Sequence, residues 1–596
     1  MPVTSFRFDP SLTREFIDFG YSLFRKDTRM ITHPSVPARR LPGKMGHSVY
    51  QRFLGLTAII GLSLFIGVDL RAGDPFSGRF HPPGSFSLVS SLPPAVSAGR
   101  NRFVDRQESG PSETGPGSPP GKKLGRAVLE YFAVIAVPQA LYWAKFRGVT
   151  KPWHYRLTWE DQSERFFTFR AWKFDSNYFF LNWMHGPTGG LYYNIARSNH
   201  LNRFESLLFT LGGSFYWEYI TEWRNVISIN DNIFTVLGGV PIGETWHVLG
   251  KYFLSKSGII NGLLGFLNPV LKFNRWLDRK AVPALSREPE PGWHDFRLSL
   301  GGWTNPARGR ERSGLNLFTG VDAQLLSLPD AEKPGDLRQK VGSTLFSEMS
   351  FDMITAGGAV DEIGLFFRSV YLGSFRKNIG PDLDGYRFYA GLGSAFSYFK
   401  QRSVAFYDSG RIVVKDIQLL KLEEPRNFRD KFAAVHVLGP VFDLTIRRGR
   451  FRARVMADAY LDFSLVNALA LNDYSATHDI TGAKTTLVYY GYYYGIGGSF
   501  SLRLDLDYGP FEMRGLFRGH DWGSIEGRDH FQKEIQDDYH LADSRTSLRL
   551  SAGYRFGTSP FVLILAYEKI DRRGSLKDVL RKETEIRLSS GVLCRF

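Results

Sequence analysis

Cysteine is almost absent from this chain of 596 residues, which contains only Cys594. An intrachain disulfide needs two cysteines and a thiolate zinc site needs several, so the sequence excludes both. A glycine-rich phosphate loop is also missing. The sequence therefore argues against disulfide-stabilised domains, cysteine-bound zinc and nucleotide-binding enzymes of the phosphate-loop kind.

Long apolar runs are scarce as well. The run from Phe53 to Val68 is shorter than the roughly 20 residues of a membrane-spanning helix, but it has the length of the apolar part of a signal peptide. Arg52 precedes this run, and Leu70–Ala72 offers a cleavage site. We therefore predict a signal peptide at 45–72 and interpret 1–44 as an upstream mis-start or a disordered extension. The alternative is an uncleaved inner-membrane anchor.

The segment 73–125 is rich in proline, glycine and serine. Such a composition cannot bury enough apolar surface to become ordered, and it predicts a disordered linker. Two folded regions are predicted beyond the linker, a small helical domain at 126–276 and a β-barrel at 290–596.

Aromatic residues and glycine are abundant, at 15% and 61 residues. Mean hydropathy is nevertheless −0.20, which is too low for a protein with many membrane-spanning helices. A membrane β-barrel explains both features, because its strands alternate lipid-facing and lumen-facing residues while aromatic girdles mark the two interfaces.

Positive charge predominates, with 75 Lys and Arg against 59 Asp and Glu and a net charge of +16. Such an excess suits nucleic acid, but no basic stripe accompanies a recognisable nucleic-acid motif. Anionic lipid head groups attract the same side chains. We therefore expect outer-membrane lipids and lipopolysaccharide as partners, and no nucleic acid.

The end of the chain carries the clearest barrel pattern. Apolar and polar residues alternate from Glu585 to Arg595, apart from Leu593, and the chain ends at Phe596. A period of two is typical of a strand with one apolar and one polar face. The terminal aromatic resembles the closing-strand signal of outer-membrane barrels, and this resemblance implies recognition by the barrel-insertion machinery.

Earlier segments repeat the alternation, at 545–556 and 499–508, with arginines on one face. Because an arginine facing lipid near the midplane costs about 2–4 kcal/mol, these arginines predict a wet lumen. Further strands near Trp293, Leu315, Leu345, Leu365 and Tyr386 give a membrane β-barrel of about twelve antiparallel strands. The overall class is α+β by content, and a soluble β-sandwich is the alternative.

Connection lengths give a second test, because bacterial barrels alternate short periplasmic turns with long outer loops. Short turns are predicted at 447–449, 507–510 and 557–560. Long connections are predicted at 401–429, 467–484, 523–542 and 571–582. The segment 329–340 is longer than a periplasmic turn should be.

Before the barrel, the apolar period changes to that of helices, which we predict at 127–146, 204–223, 233–254 and 258–273. The first contains Glu130 and Pro138, so we expect it to pack on protein rather than span a membrane. Gly239 and Gly243 have the spacing that lets two helix backbones approach closely.

Dense polar strings run through the helical region. They are WKFDSN at 172–177, NWMHGPTGGLYYNIAR at 182–197, SFYWEYITE at 214–222, SIND at 228–231 and GGVPIGE at 238–244. Together they resemble domain of unknown function 3943, a bacterial envelope family. The chain departs from the family pattern at His185-Gly186-Pro187, where the family has His-Pro. The family has no established activity, so the resemblance implies a domain boundary rather than a reaction.

Four side chains of these strings have the chemistry of a reactive centre. Glu218 and Glu222 are spaced to share a helix face with Ser214, beside whichever element carries His185 and Asp231. These groups could serve as base and acid on a lipid ester. Alternatively, His185, Glu218 and Glu222 could bind a divalent metal, although no cofactor is required.

The preferred interpretation is a hydrogen-bonded network that fixes helix packing without a reaction, because buried charges must be paired. Its further members are Asp175, Asn177, Asn182, Tyr192, Arg197, Ser214, Trp217, Asn230 and Glu244. A separate candidate is His520-Asp521 with Asp529-His530, predicted in an outer loop and similar to the His-Asp pairs of cell-surface barrel proteases.

Two functions follow from these patterns. The preferred one is a non-enzymatic outer-membrane protein for transport or organisation of envelope components, whose helical domain is a plug, gate or partner dock on the periplasmic side. The alternative is an envelope lipid or lipopolysaccharide hydrolase. A transporter tolerates loss of His185, whereas a hydrolase centred on His185 and Glu218 fails without it.

Overall fold

The computed structural model describes residues 121–146, 155–174, 177, 179–278, 293–305, 316–357, 359–402, 428–480, 483–525 and 539–596. The predictions for 1–44 and 45–72, and nearly all of 73–125, lie outside these residues. Chain contacts divide the molecule into a helical unit and a barrel unit.

The helical unit contains α1 (Leu124–Phe146), α2 (Trp159–Phe166), α3 (Phe179–Ser198), α4 (Arg203–Tyr216), α5 (Ile229–Ile233), α6 (Gly239–Ser255), α7 (Ile259–Leu264) and α8 (Pro269–Leu277). π-Helical turns occupy Trp217–Thr221 and Phe234–Gly238, and a 3-10 turn occupies Gly265–Leu267. Two short parallel strands, β1 (Trp172–Lys173) and β2 (Ile227–Ser228), pair with each other.

Helices α1, α4 and α6 fall where the sequence predicts helices, whereas α3 was not predicted. Its Pro187 and neighbouring glycines have poor helix propensity, which tertiary packing overrides. The single helix predicted at 258–273 is wrong. It is broken at Asn268, whose side chain accepts from Leu271 N and begins α8.

Glycines bring α3 and α6 into close contact. A Cβ at Gly239 would lie 2.5 Å from the carbonyl carbon of Gly189, and one at Gly243 would lie 2.8 Å from the carbonyl oxygen of Gly190. The predicted close approach at Gly239 and Gly243 is therefore confirmed, because only hydrogen atoms fit between these backbones.

One face of α1 packs on the rest of the helical unit. Ala127, Tyr131 and Ile135 are buried, and the Tyr131 hydroxyl donates to Gly213 O at 2.7 Å. Among the described helices, Leu124–Ala144 is also long and apolar enough to cross a membrane by length and composition. One face of the helix is thus buried and held by the Tyr131 hydrogen bond, whereas apolar side chains such as Leu129 are exposed on the rest of the helix.

The barrel unit contains β3 (Trp293–Thr304), β4 (Leu317–Leu326), β5 (Gly335–Val341), β6 (Phe346–Ala356), β7 (Ala359–Ile379), β8 (Gly385–Arg402), β9 (Phe428–Arg448), β10 (Phe451–Asn467), β11 (Tyr492–Tyr508), β12 (Phe511–Ser524), β13 (Leu541–Arg555), β14 (Phe561–Leu576) and β15 (Val579–Arg595). Two short helices, α9 (Leu471–Ser475) and α10 (Thr485–Tyr490), lie between β10 and β11. All strand pairings within the barrel unit are antiparallel. The last strand, β15, pairs with the first, β3, and this pairing closes a barrel of 12 strands. The predicted membrane β-barrel is confirmed.

The extra strand β5 explains the long connection at 329–340. One edge of β7 pairs with β6 from Ala359 to Val370 and with β5 from Gly373 to Ile379. The segment thus contributes a strand at the barrel end that carries the short turns.

The long connection predicted at 571–582 is wrong, because β14 and β15 continue to Leu576 and Val579. Charged residues occupy both faces there, and Thr584 Oγ1 donates to Asp571 Oδ1 at 2.7 Å. Beyond the apolar band a strand need not alternate, so the sequence pattern ends before the strand does.

Within the band the predicted alternation is confirmed. Leu548, Leu550 and Tyr554 are exposed, whereas Arg545 and Ser547 are buried on the inner face of β13. An apolar outer surface around a polar interior is the arrangement of outer-membrane barrels.

Candidate functional sites in the helical domain and the barrel lumen

His185 on α3 and Asp231 on α5 form a dyad. His185 Nε2 lies 3.2 Å from Asp231 Oδ1, and His185 Nδ1 lies 3.3 Å from Thr235 Oγ1. Asn230 Nδ2 donates to the same Asp231 oxygen at 2.8 Å. The structure therefore brings together the predicted imidazole and one predicted carboxylate, with about a quarter of the imidazole exposed.

The turn before α5 ties several predicted residues together. Ser228 N donates to Glu218 Oε2 at 2.8 Å, and Ser228 Oγ donates to Asn230 Oδ1 at 3.1 Å. Asn230 Nδ2 also lies 3.3 Å from Asn182 Oδ1. Because these groups are buried, their hydrogen bonds offset the cost of removing them from water.

The single α-helical face expected for Ser214, Glu218 and Glu222 is interrupted. Glu222 N donates to Trp217 O at 2.9 Å, an i→i+5 bond that widens the helix into a π-turn. Glu222 instead accepts from Trp217 Nε1 at 3.3 Å and Asn225 Nδ2 at 2.7 Å. Ser214 Oγ donates to Asn232 Oδ1 at 2.8 Å.

Arg197, which is partly buried, and Glu244, which is fully buried, form an ion pair between α3 and α6. Arg197 Nε lies 2.9 Å from Glu244 Oε2, and Arg197 Nη2 lies 3.3 Å from Glu244 Oε1. Although burial opposes the guanidinium charge, the Glu244 carboxylate raises the pKa of Arg197. Such a bidentate pair fixes both charge and helix orientation.

The remaining predicted network residues are less closely connected. Tyr192 packs edge-on against Tyr131, with ring centroids 4.9 Å apart, and burial raises the pKa of Tyr192. Asn177 lies partly buried before α3, while Asp175 lies outside the described residues. The catalytic and metal-binding roles of His185, Glu218, Glu222 and Asp231 stay predictions.

A second polar centre, which we call the lumen cluster, consists of Ser397, His436, Asp462, Ser499 and His520, all buried in the barrel. Asp462 accepts on both oxygens, with Oδ1 2.6 Å from His436 Nδ1 and Oδ2 3.0 Å from His520 Nδ1. Ser397 Oγ lies 2.7 Å from His436 Nε2. Ser499 Oγ lies 2.9 Å from Asp462 Oδ1.

The prediction for His520 was wrong. His520 lies in β12, is 1% exposed, and contacts Asp462 rather than pairing with Asp521 in an outer loop. Asp529 and His530 lie outside the described residues. The signal that could have placed His520 is its period-two relation to Arg518, which puts it on the polar inner face.

A β-bulge aims His436 into the lumen. Asp462 is opposite His436 and Asp458 is opposite Val441, so β9 carries an extra residue between these pairs. Val441 and Asp443 face inward on one side of the bulge, and His436 faces inward on the other. The extra residue switches the inward face from odd to even positions, as bulges beside functional sites often do.

Chain segments pack against inward-facing strand residues near both ends of the described barrel. At the short-turn end, the segment 327–345 packs against inward residues of β8, β9 and β10, in a cluster that includes Leu328, Ala331, Val341, Tyr389, Val441, Met456 and Tyr460. At the long-loop end, the loop 468–491 packs against β8, β9 and β12, in a cluster that includes Phe399, Phe432, Leu471, Tyr474, Leu487 and Trp522.

Ion pairs occupy the wall between these ends. Arg368 pairs with Glu348 and Asp458, and Arg587 Nη1 donates to Glu362 Oε1 at 2.8 Å. Both arginines face inward and are matched by acidic residues of other strands.

Comparison with known proteins identifies part of the helical region. Residues 171–270 match DUF3943, a domain of unknown function. The match confirms the resemblance carried by the polar strings. No curated protein matches the chain.

Several solved barrels are similar in outline. The Pseudomonas putida toluene transporter TodX shows 10% identity over 52% of this chain and 92% of its own, with a TM-score of 0.20. The beta domain of the Bordetella autotransporter BrkA shows 12% identity over 51% and 98%, with a TM-score of 0.18. Such low scores indicate nothing about function, and the barrel assignment rests on the strand pairing.

Proposed function

We propose that this protein is a gated outer-membrane passage for small hydrophilic solutes, with its helical domain on the periplasmic side. The observation that carries the proposal is the lumen, which is polar along its wall and has chain segments packed against its wall near both ends. Displacing the segment 327–345 would break the pairing of β5 with β7 but would leave the closed ladder of the twelve barrel strands intact, so opening does not require unfolding of the barrel.

The segment 327–345 is the better candidate for a moving gate. Glu332 pairs with Arg387, and its Oε2 accepts from Arg447 Nη2 at 3.2 Å. Lys377 Nζ donates to Lys333 O at 2.6 Å. These polar contacts surround a small apolar cluster. Loss of one of them favours the state in which the segment has moved away from the lumen.

The orientation rests on the barrel termini. Phe596 N donates to Phe296 O at 3.0 Å, so both chain ends of the barrel lie at the short-turn end, which is periplasmic in bacterial barrels. The helical domain precedes β3 and would thus be periplasmic. We also expect the final strand and the exposed Phe596 to engage the insertion machinery, and lipopolysaccharide to contact the outer surface.

The test is ion conductance of the full-length protein in planar lipid bilayers. Glu332→Gln should raise the open probability about tenfold, which corresponds to about 1.4 kcal/mol. Asp571→Asn is the matched control, because it breaks an exposed pair with Lys569 on the outer face. Replacing residues 329–341 with a short Gly-Ser linker should give a lasting conductance. A folded barrel that stays closed in this last variant would refute the passage.

The alternative function, an envelope lipid or lipopolysaccharide hydrolase, is favoured by one observation, the His185–Asp231 dyad. A carboxylate that orients an imidazole is the arrangement of a general base. Lipid hydrolysis by the wild type that His185→Ala abolishes, with conductance unchanged, would support it. Unchanged hydrolysis in the variant would leave the dyad as a packing contact.

A further inference from the structure

The lumen cluster differs from every other polar group of the described barrel in joining two imidazoles to one carboxylate. We propose that His436, Asp462 and His520 bind one divalent transition-metal ion of the zinc type. Candidate ligand atoms of these three residues all lie within 4.8 Å of one another. Imidazole nitrogen and carboxylate oxygen are the ligands that zinc takes when cysteine is absent.

The distances fit a metal with small adjustment. Ligand atoms around a tetrahedral zinc ion are about 3.3 Å apart. His436 Nδ1 and His520 Nδ1 lie 2.6 Å and 3.0 Å from the two oxygens of Asp462. Ser499 Oγ lies 3.0 Å from His436 Nδ1 and offers a fourth ligand. The two nitrogen–oxygen separations are shorter than this spacing by up to about 0.7 Å, so the imidazoles would have to move away from the carboxylate by that amount to admit the ion.

The surroundings hold the imidazoles in place. Ser397 Oγ contacts the other nitrogen of His436 at 2.7 Å, which is the position of an orienting group behind a metal-bound histidine. The ring of Trp522 stacks on His520 with centroids 4.4 Å apart. The ring of Tyr460 lies 5.5 Å from that of His436. Aromatic walls exclude water and strengthen binding to the ion.

The arrangement of the strands determines which parts of the barrel a bound ion would link. Each of the five strands from β8 to β12 contributes one residue of the lumen cluster, and the bulge in β9 turns His436 towards it. A bound ion would therefore cross-link β9, β10 and β12 directly. It would stabilise the wall on which the loop 468–491 packs, since Trp522 and Phe432 contact His520 and also belong to the apolar cluster that includes residues of this loop.

Ser397, His436 and Asp462 also have the order of a serine nucleophile, its base and the base's orienting group. Two features favour the metal. A nucleophile must meet its substrate, whereas Ser397 is 6% exposed. The carboxylate of a triad orients one imidazole, whereas Asp462 contacts two.

The experiment is zinc binding by purified full-length protein in detergent, stripped with chelator, reloaded with Zn²⁺ and measured by mass spectrometry and chelator competition. We expect one bound zinc ion per barrel. Asp462→Asn and His520→Gln should weaken binding at least about tenfold, and Ser397→Ala should weaken it about tenfold. Cobalt substitution should give a tetrahedral absorption band that His520→Gln shifts.

Asp458→Asn is the matched control, because Asp458 lies on the same strand and face but pairs with Arg368. The folded fraction of this variant should retain zinc at full stoichiometry, although loss of the pair with Arg368 lowers the stability of the barrel. Heat-modifiable migration on gels checks folding, and His520→Gln serves if Asp462→Asn does not fold. Folded wild type without zinc, or equal affinity in Asp462→Asn and Asp458→Asn, would overturn the proposal. So would fluorophosphonate labelling of Ser397 that zinc does not affect.

Discussion

The helical domain and the barrel lumen both bury many polar side chains, but they satisfy them in different ways. In the helical domain, Glu218 accepts from the backbone of Ser228, and Asn182 meets Asn230. In the lumen, Glu348 and Asp458 meet the guanidinium of Arg368. In the helical domain, neutral amides and backbone groups accompany the ion pair of Arg197 with Glu244, whereas full charges from distant strands dominate the lumen.

The difference follows from architecture. Helices pack side by side, so backbone groups at their ends are available to nearby side chains. In a closed barrel every backbone group of the wall is already used by the strand ladder. Side chains in the lumen must therefore satisfy one another, and charges of opposite sign are the partners that the sequence supplies.

The largest expected effect comes from leaving lumen charges without their partner. Arg368→Met removes the cation shared by Glu348 and Asp458, which are almost fully buried. Breaking a buried pair of this kind costs about 3–5 kcal/mol, and we expect the urea midpoint of barrel unfolding, followed by gel migration, to fall accordingly. Lys569→Met removes an exposed cation and should change stability by less than about 1 kcal/mol. Equal effects of the two substitutions would contradict the contrast between the networks.

The sequence predicted the architecture of both regions but not the geometry of their polar sites, and one physical reason explains both outcomes. Period-two alternation and the terminal Phe596 were sufficient for the barrel, and the polar strings were sufficient for the helical domain, because both signals are local. The lumen cluster is not local, since Ser397 and His520 meet only through five neighbouring strands. The bulge in β9 also reverses the inward face, so alternation extended from Asp443 would place His436 on the wrong side. The π-turn at Trp217–Thr221 similarly defeated a spacing argument that assumed a regular α-helix.

A smaller effect should distinguish the close packing of α3 from an open position on another helix of the same domain. A Cβ at Gly189 would lie 1.7 Å from Thr235 O, whereas one at Gly212 would meet nothing within 4 Å. Gly189→Ala must push α3 away from the π-turn at Phe234–Gly238, at a cost of about 2–3 kcal/mol. Gly212→Ala should be neutral or stabilise α4 by up to about 1 kcal/mol. Thermal unfolding followed by far-UV circular dichroism measures the stability change of each variant. An unchanged stability in Gly189→Ala would show that α3 can move away from the π-turn at little cost in free energy.

The smallest effect concerns pH and the neutral character of the helical network. Burial, reinforced by the positive charge of Arg197, lowers the pKa of His247 well below its usual range, against the pull of Glu244; Lys251 and His200 add to the lowering. Its Nδ1 lies 3.2 Å from Asn268 Nδ2, a contact that requires the neutral ring to accept.

Because the folded state holds fewer protons on His247 than the unfolded state, stability is complete above a pH of about 6.5 and falls as the pH drops below it. The loss is at most about 1.4 kcal/mol per pH unit. His247→Gln keeps a hydrogen-bond acceptor and should flatten this slope in unfolding measured between neutral and mildly acidic pH. His200→Asn should keep most of it, because the charge of His200 makes the smallest of these contributions to the pKa of His247, His200 is exposed and Asn tolerates its positive φ of 65°. An unchanged slope in His247→Gln would mean that charged groups, as in the lumen, also govern the acid response of the helical domain.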